Sequence, residues 1–273
     1  MRTPKRFLIF FFVLVAVLAL LLAFTLVRFS ISPGREDIET KRVLREFSFN
    51  SDKDISMWEE KALCPKKTAY SLGEITGRLC LEAQAVDSAS ALFYKETLDH
   101  RQKPYVEWEW IARKFPDWKG QESLQKKSDF DFVAQFYVVF YARFFPKARA
   151  IQYVWTESLP VGTVSDSPYT SNVKILVLES GLSDEWKQER RDISADYLDL
   201  FGEPLDKDVV AVSFMADADS TDSSASSGLS NVRIGYIGPS KEEGNDGDTG
   251  IPTKGPEESS RRKDQGKEQP SDT

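Results

Sequence analysis

Carboxylates, rather than histidines or cysteines, are the residues of this chain whose types and spacing could carry chemistry. Glu107 and Glu109 alternate with Trp108 and Trp110 in the run from Pro104 to Trp110. In an extended strand alternate side chains share a face, so tryptophans turned to a core place both glutamates on the opposite side. Asp131, Gln135 and Tyr137 share the non-core side of the aromatic run Phe130 to Tyr141 if Phe130, Phe132, Phe136 and Phe140 face inward. Should these sides form one concave face, two or three carboxylates, an amide and a phenol would line a ligand site. Two carboxylates on such a face can run glycoside hydrolysis, with their separation setting the stereochemical outcome. The same groups can instead hydrogen-bond sugar hydroxyls, or stand solvated with no role at all.

Asp217, Asp219 and Asp222 put several hard oxygens in one stretch just after a strand pattern. Calcium takes six to eight such ligands, but the stretch lacks the central glycine and closing glutamate of an EF-hand loop. A structural calcium or a plain acidic turn are the two readings, and no other cofactor is expected. His100 is the only histidine and sits in the polar run Asp99 to Lys103, a poor place for the packed histidine of a nucleophilic triad. One histidine and two cysteines, Cys64 and Cys80, offer no zinc-ligand spacing. The cysteines either pair in an oxidising compartment, closing a loop of about 16 residues, or remain separate thiols. No glycine-rich phosphate loop is present. A formal net charge of −7, with no Lys/Arg cluster after residue 45, argues against a nucleic-acid partner. Exposed tryptophans would stack on sugar rings, but a large core also consumes aromatics, and the core is the expected place for any one of the six.

The elements that must position these residues are mostly strands. Residues 77–86 alternate Leu79, Leu81, Ala83 and Ala85 with polar neighbours, and 90–94, 105–111, 130–141, 151–156, 173–179, 209–217 and 232–237 read likewise, separated by Pro, Gly, Asp and Ser breakers. One helix is expected over 195–201, with Ser194 as N-cap and Gly202 as its C-terminal cap. Many strands with almost no helix between them predict an all-β chain, an antiparallel β-sandwich or jelly roll of the galactose-binding-like kind.

Ahead of it, Phe7 to Val27 runs twenty-one residues without a charge. At about 1.5 Å per residue it matches a bilayer's hydrocarbon core, and it is longer than a cleaved signal and lacks a small-residue cleavage site. The expected organisation is a stub at 1–6, a transmembrane signal anchor at 7–28, a linker at 29–45, the sandwich at 46–238 and a disordered polar tail at 239–273. The tail holds too little apolar surface to offset its ordering entropy.

Six stretches in order, LEAQAVDSASALFYKETL from Leu81, PYVEWEW from Pro104, DFDFVAQFYVVF from Asp129, YVWTESLPVG from Tyr153, ERRDISADYLDLFG from Glu189 and VAVSFMADADST from Val210, resemble the bacterial domain-of-unknown-function family 3047. The resemblance covers roughly residues 47–237. Its members are typically exported, which implies a single-pass protein of the bacterial inner membrane with its C-terminal domain in the periplasm, the orientation that Arg2, Lys5 and Arg6 also favour. The family lends fold and location rather than mechanism. An arginine is usual in it where this chain has Gln135, and another where it has Glu109, which puts a grip on an anionic ligand in doubt. The expectation is therefore a membrane-tethered domain binding a glycan or another envelope component, including an envelope protein. A carboxylate-dependent envelope hydrolase or a structural partner-binding domain are the alternatives.

Overall fold

The structure, a computed structural model, describes residues 41–144 and 147–238. The apolar run Phe7–Val27 and the tail after Gly238 lie outside the described residues. Among the described residues, no helix is long and apolar enough to cross a membrane.

Among the described residues, thirteen strands form two sheets packed face to face. A six-stranded sheet has the order β11 (Lys187–Asp192), β6 (Pro104–Lys114), β13 (Ser224–Ile237), β4 (Arg78–Val86), β3 (Ala69–Ile75), with β1 (Lys41–Phe47) also on β13. β13 is long enough to serve two partners on one edge: residues 224–229 pair with β4 and residues 232–237 with β1. The close approach of β1 depends on Gly235, where an added Cβ would fall on the backbone oxygen of Arg42. The seven-stranded sheet runs β2 (Glu59–Ala62), β5 (Ser90–Leu98), β12 (Val209–Met215), β7 (Ala134–Phe140), β8 (Ala150–Thr156), β10 (Thr170–Ser180), β9 (Val164–Ser167). Pairing is antiparallel except for β8 with β10, which is parallel. Two short α-helices stand among the described residues, α1 (Asp52–Ser56) and α2 (Ile193–Phe201).

Alternation along each strand builds the core. Val106, Trp108, Trp110 and Ala112 of β6 meet Phe136, Val138 and Phe140 of β7 and Ile151, Tyr153 and Trp155 of β8. The Trp108 ring stacks on Phe136 with centroids 4.3 Å apart and planes 6° from parallel. Trp58, Trp108, Trp110 and Trp155 are all buried, as a sandwich core of this size requires. α2 packs Ile193 and Tyr197 against the same core.

Several sequence expectations are corrected. Residues 41–45, read as linker, belong to β1 and pair with β13. The cap of α2 is Asp192, whose carboxylate accepts from the Ser194 and Ala195 N–H groups, while Gly202 does end the helix with φ of 74°. The aromatic run from Phe130 is not one register. β7 begins at Ala134, and Val133 and Ala134 both face the main core. Phe130 and Phe132 therefore fall on the other side of the sheet, packed with Leu124, Val154, Ile175 and Val177. The break arises because residues 131–132 bond a neighbouring loop instead of a ladder: the Asp217 N–H donates to the Phe132 carbonyl at 3.2 Å. Cys64 and Cys80 are separate free thiols, Cys80 fully buried.

Candidate functional site

The outward face of the seven-stranded sheet carries a groove of about 1060 Å³. Its shape follows from register. Two neighbouring rungs of side chains cross the face: Phe93–Ser213–Tyr137–Gln152, and Lys95–Ala211–Val139–Ala150–Val173. The first rung carries large rings and the second carries small side chains in its middle, so the second forms a floor and the rings of Phe93 and Tyr137 form a wall. Charged groups lie toward the ends. Lys95 Nζ pairs with Glu59 at 2.6 Å, and Arg149 is held by Glu203 and by the Tyr197 hydroxyl. Arg143 stands at the rim over the Phe144 ring.

Behind the wall lies a buried polar network. Gln135 Nε2 donates to Asp217 Oδ1 at 2.7 Å, and the Phe132 N–H donates to the same oxygen at 2.6 Å. The amide's other end, Oε1, accepts from Gln152 Nε2 at 2.7 Å and from the Tyr137 hydroxyl at 2.9 Å. Every member thus has its direction fixed, and the Tyr137 ring is held as a rigid panel of the groove. Burial pushes the Tyr137 hydroxyl well above its ordinary range, with the Asp217 charge adding to it.

Asp131 is completely buried and works as a loop clamp. Its Oδ1 accepts from the Ser220 N–H at 3.1 Å, and its Oδ2 accepts from the N–H and hydroxyl of Thr221, both at 2.7 Å. One carboxylate oxygen each from Asp131, Asp217 and Asp219 lies within 4.8 Å of the others. The set expected from sequence is thereby altered: Asp131 joins Asp217 and Asp219, while Asp222 turns away to Lys119 at 3.1 Å. Three such carboxylates are hard-oxygen donors of the kind calcium takes, and these residues are the ones that would hold it. A proton answers the same crowding. Burial first, then the Asp131 charge, raise the Asp217 carboxyl well above its ordinary value despite the two hydrogen bonds it accepts.

Glu107 and Glu109 do not share a face with Asp131, Gln135 and Tyr137. They point outward from the opposite, six-stranded sheet, so the concave constellation of all five is not formed. Glu107 is buried under cations: Lys41 Nζ at 2.7 Å, Arg233 at 3.2 Å and Arg190 at 3.4 Å, with Gln188 Nε2 donating at 2.8 Å. Burial alone would raise its carboxyl, but the Lys41 bond and the three charges outweigh it and hold it below the usual value. Glu109 bonds Arg78 and Asn231. Both are structural charges in a surface network. Phe93, Ser213, Ala211 and Gln152 went unnoticed as site residues, because alternation tells which residues share a strand face and not which strands lie side by side.

The model of the family described as a protein of unknown function, DUF3047, matches residues 56–233. The chain belongs to that family. Among curated proteins none matches this DUF3047 member in sequence. Similar solved structures include the family 11 carbohydrate-binding module of cellulase Lic26A-Cel5E of Clostridium thermocellum, 10% identical, covering 74% of this chain and 98% of that one at a TM-score of 0.38. The xyloglucanase domain of NopAA from Sinorhizobium fredii, solved with cellobiose, is 9% identical over 66% and 92% of the two chains at 0.39. The K3 cleaved adhesin domain of Lys-gingipain from Porphyromonas gingivalis is 10% identical over 71% and 100% at 0.35. Likenesses this weak leave the site to be argued from its own geometry. The Gln135 amide donates to Asp217 and so lowers its carboxyl, but burial and the Asp131 charge outweigh that bond.

Proposed function

We propose that this domain binds a linear glycan of the cell envelope along the outward groove of its seven-stranded sheet, on a jelly-roll type sandwich. The groove itself carries the reading. Its volume of about 1060 Å³ lies just above the roughly 300–1,000 Å³ of small-molecule sites, and suits an extended chain better than a small metabolite. Its floor of Ala211, Val139 and Ala150 is flat and apolar, and the Phe93 and Tyr137 rings beside it offer carbon faces of the kind sugar rings stack on. The rim charges are already paired in several places, as with Lys95 and Glu59, which favours a neutral polyhydroxylated ligand over a highly charged one. The carboxylates first considered for hydrolysis are tied into structural bonds, Glu107 and Glu109 on the six-stranded sheet and Asp131 in the segment before β7, and binding is the better supported activity. The test is a glycan array, rich in envelope and linear β-linked glycans, probed with the full-length protein in detergent. Wild type should bind a defined subset, and Val139→Trp, which fills the floor, should lose it. Array binding that survives Val139→Trp, or no binding at all, would remove this reading.

The domain is proposed to work outside the cytoplasm, tethered by the uncharged run Phe7–Val27, with Arg2, Lys5 and Arg6 retained inside. Alkaline-phosphatase fused after residue 238 should be active. An inactive fusion beside an active cytoplasmic reporter would reverse the orientation.

A further inference from the structure

The apolar floor of the groove hides one polar group to which the fold gives no partner. Ser213 is mid-strand in β12 and fully buried, and among the described residues nothing hydrogen-bonds its Oγ. Val212 and Phe214 on either side belong to the core, so Ser213 faces outward with the groove rung. Across the ladder its neighbours are Phe93 and Tyr137, and along the strand on the same face stand Met215 and Ala211. Three of these four close it in with bulky apolar side chains. The fourth, Ala211, is the groove floor and contributes a single methyl. The Tyr137 hydroxyl does not serve as its partner, because that group is committed to Gln135 Oε1, which also takes the Gln152 amide. An alanine would lose only the one unsatisfied oxygen, so hydrogen bonding within the fold gives no account of a serine at this position.

We propose that Ser213 is the specificity-determining residue of the groove, its hydroxyl bonding a sugar hydroxyl that lies over Ala211 against the Phe93 and Tyr137 rings. The inference rests on the reading of the groove as a glycan site and adds what the apolar floor cannot supply, discrimination between sugars of the same shape. A hydroxyl both donates and accepts, and so does its partner on a sugar. A ring lacking a hydroxyl at that position, or carrying it on the other face, leaves Ser213 buried and unpaired and is rejected. Burial of Oγ means the contact forms only as the ligand displaces the half-buried Phe93 ring, because the Tyr137 ring is held in place by its hydroxyl bond to Gln135.

Isothermal titration of full-length wild type, Ser213→Ala and Val139→Trp with two probes, a mixed-linkage β-glucan tetrasaccharide and a peptidoglycan tetrasaccharide, tests this, with the thermal midpoint of each variant measured alongside. Wild type should bind at least one probe and Val139→Trp neither. Ser213→Ala should bind it about two- to tenfold more weakly, the range expected for one neutral hydrogen bond, while its midpoint stays level or rises. Unchanged affinity in Ser213→Ala, with Val139→Trp inactive, overturns the role of Ser213 and leaves the groove standing. A lowered midpoint with unchanged affinity assigns the hydroxyl to an internal bond and overturns it as well. Binding that ignores Val139→Trp, or wild type that binds neither probe, removes the groove reading and this inference together.

Discussion

Burial changes what a carboxylate does, and Asp131 shows it. On sequence alone it is an outward residue of a strand, open to a ligand and cheap to replace. In the fold it is fully buried and accepts three hydrogen bonds from Ser220 and Thr221, fixing the loop that follows β12. Removing it strands the buried Thr221 N–H and the half-buried Ser220 N–H, while the Thr221 hydroxyl keeps Ser223 Oγ at 2.7 Å, and each such orphan costs about 1–3 kcal/mol. Asp131→Ala should therefore lower the unfolding free energy by about 2–4 kcal/mol in a urea titration, with the slope of the transition unchanged. A loss below about 1 kcal/mol would mean the loop re-forms on other partners, and the clamp would have to be abandoned. Asp217 is the second case. Its carboxyl is raised by burial and by Asp131, and it orients Gln135 and through it Tyr137. Neither residue touches the groove, yet both set its wall.

Elements were legible where one face is buried and the other is not. β4 and β6 carry stretches that alternate apolar with polar or charged residues, and their faces were foreseeable from period alone. β11 reads Lys187-Gln-Glu-Arg-Arg-Asp and shows no apolar period, because it is an edge strand whose side chains are spent on ion pairs. Arg190 goes to Glu107 and Arg191 to Asp196, while the Glu189 carboxylate accepts from the Trp110 indole N–H at 3.2 Å. β1 is similar: Lys41, Arg42 and Arg45 made it look like a linker, and only Phe47 is buried. The aromatic run from Phe130 misled in the opposite sense. Its alternation continues through the point where the backbone leaves the ladder, so pattern alone could not show that Phe130 and Phe132 cross to the groove side of the sheet. The groove was the least legible part. It depends on β5, β12, β7 and β8 lying in that order, and strand order is decided by contacts between residues far apart in sequence.

At the scale of the molecule, the two sheets meet at a seam where acids face each other. Glu179 leaves β10 of the seven-stranded sheet and Glu189 leaves β11 of the six-stranded one, and their carboxyls hydrogen-bond. The charged groups around them are Lys187 and Arg191, with the Trp110 indole donating to Glu189. Burial first, then the Glu179 charge, raise Glu189 to about 7 from an ordinary 4.5. Glu179 is raised too, again chiefly by burial, so the two titrate as a pair. The sign follows from linkage. Between pH 4.5 and 7 the unfolded chain has already released the Glu189 proton that the folded chain still holds, so stability falls as pH rises through that window and levels above it. A tenfold change in proton affinity is worth about 1.4 kcal/mol, and because the seam is only partly buried the effect is discounted to about 1–2 kcal/mol. Glu189→Gln keeps an oxygen for Trp110 and a donor for Glu179 while removing the titration. Calorimetry at pH 5.5 and 7.5 should find the variant more stable than wild type by roughly 2–6 °C at the higher pH, with the gap closing at the lower. Parallel pH profiles would show that the shared proton at this seam does not hold the two sheets together.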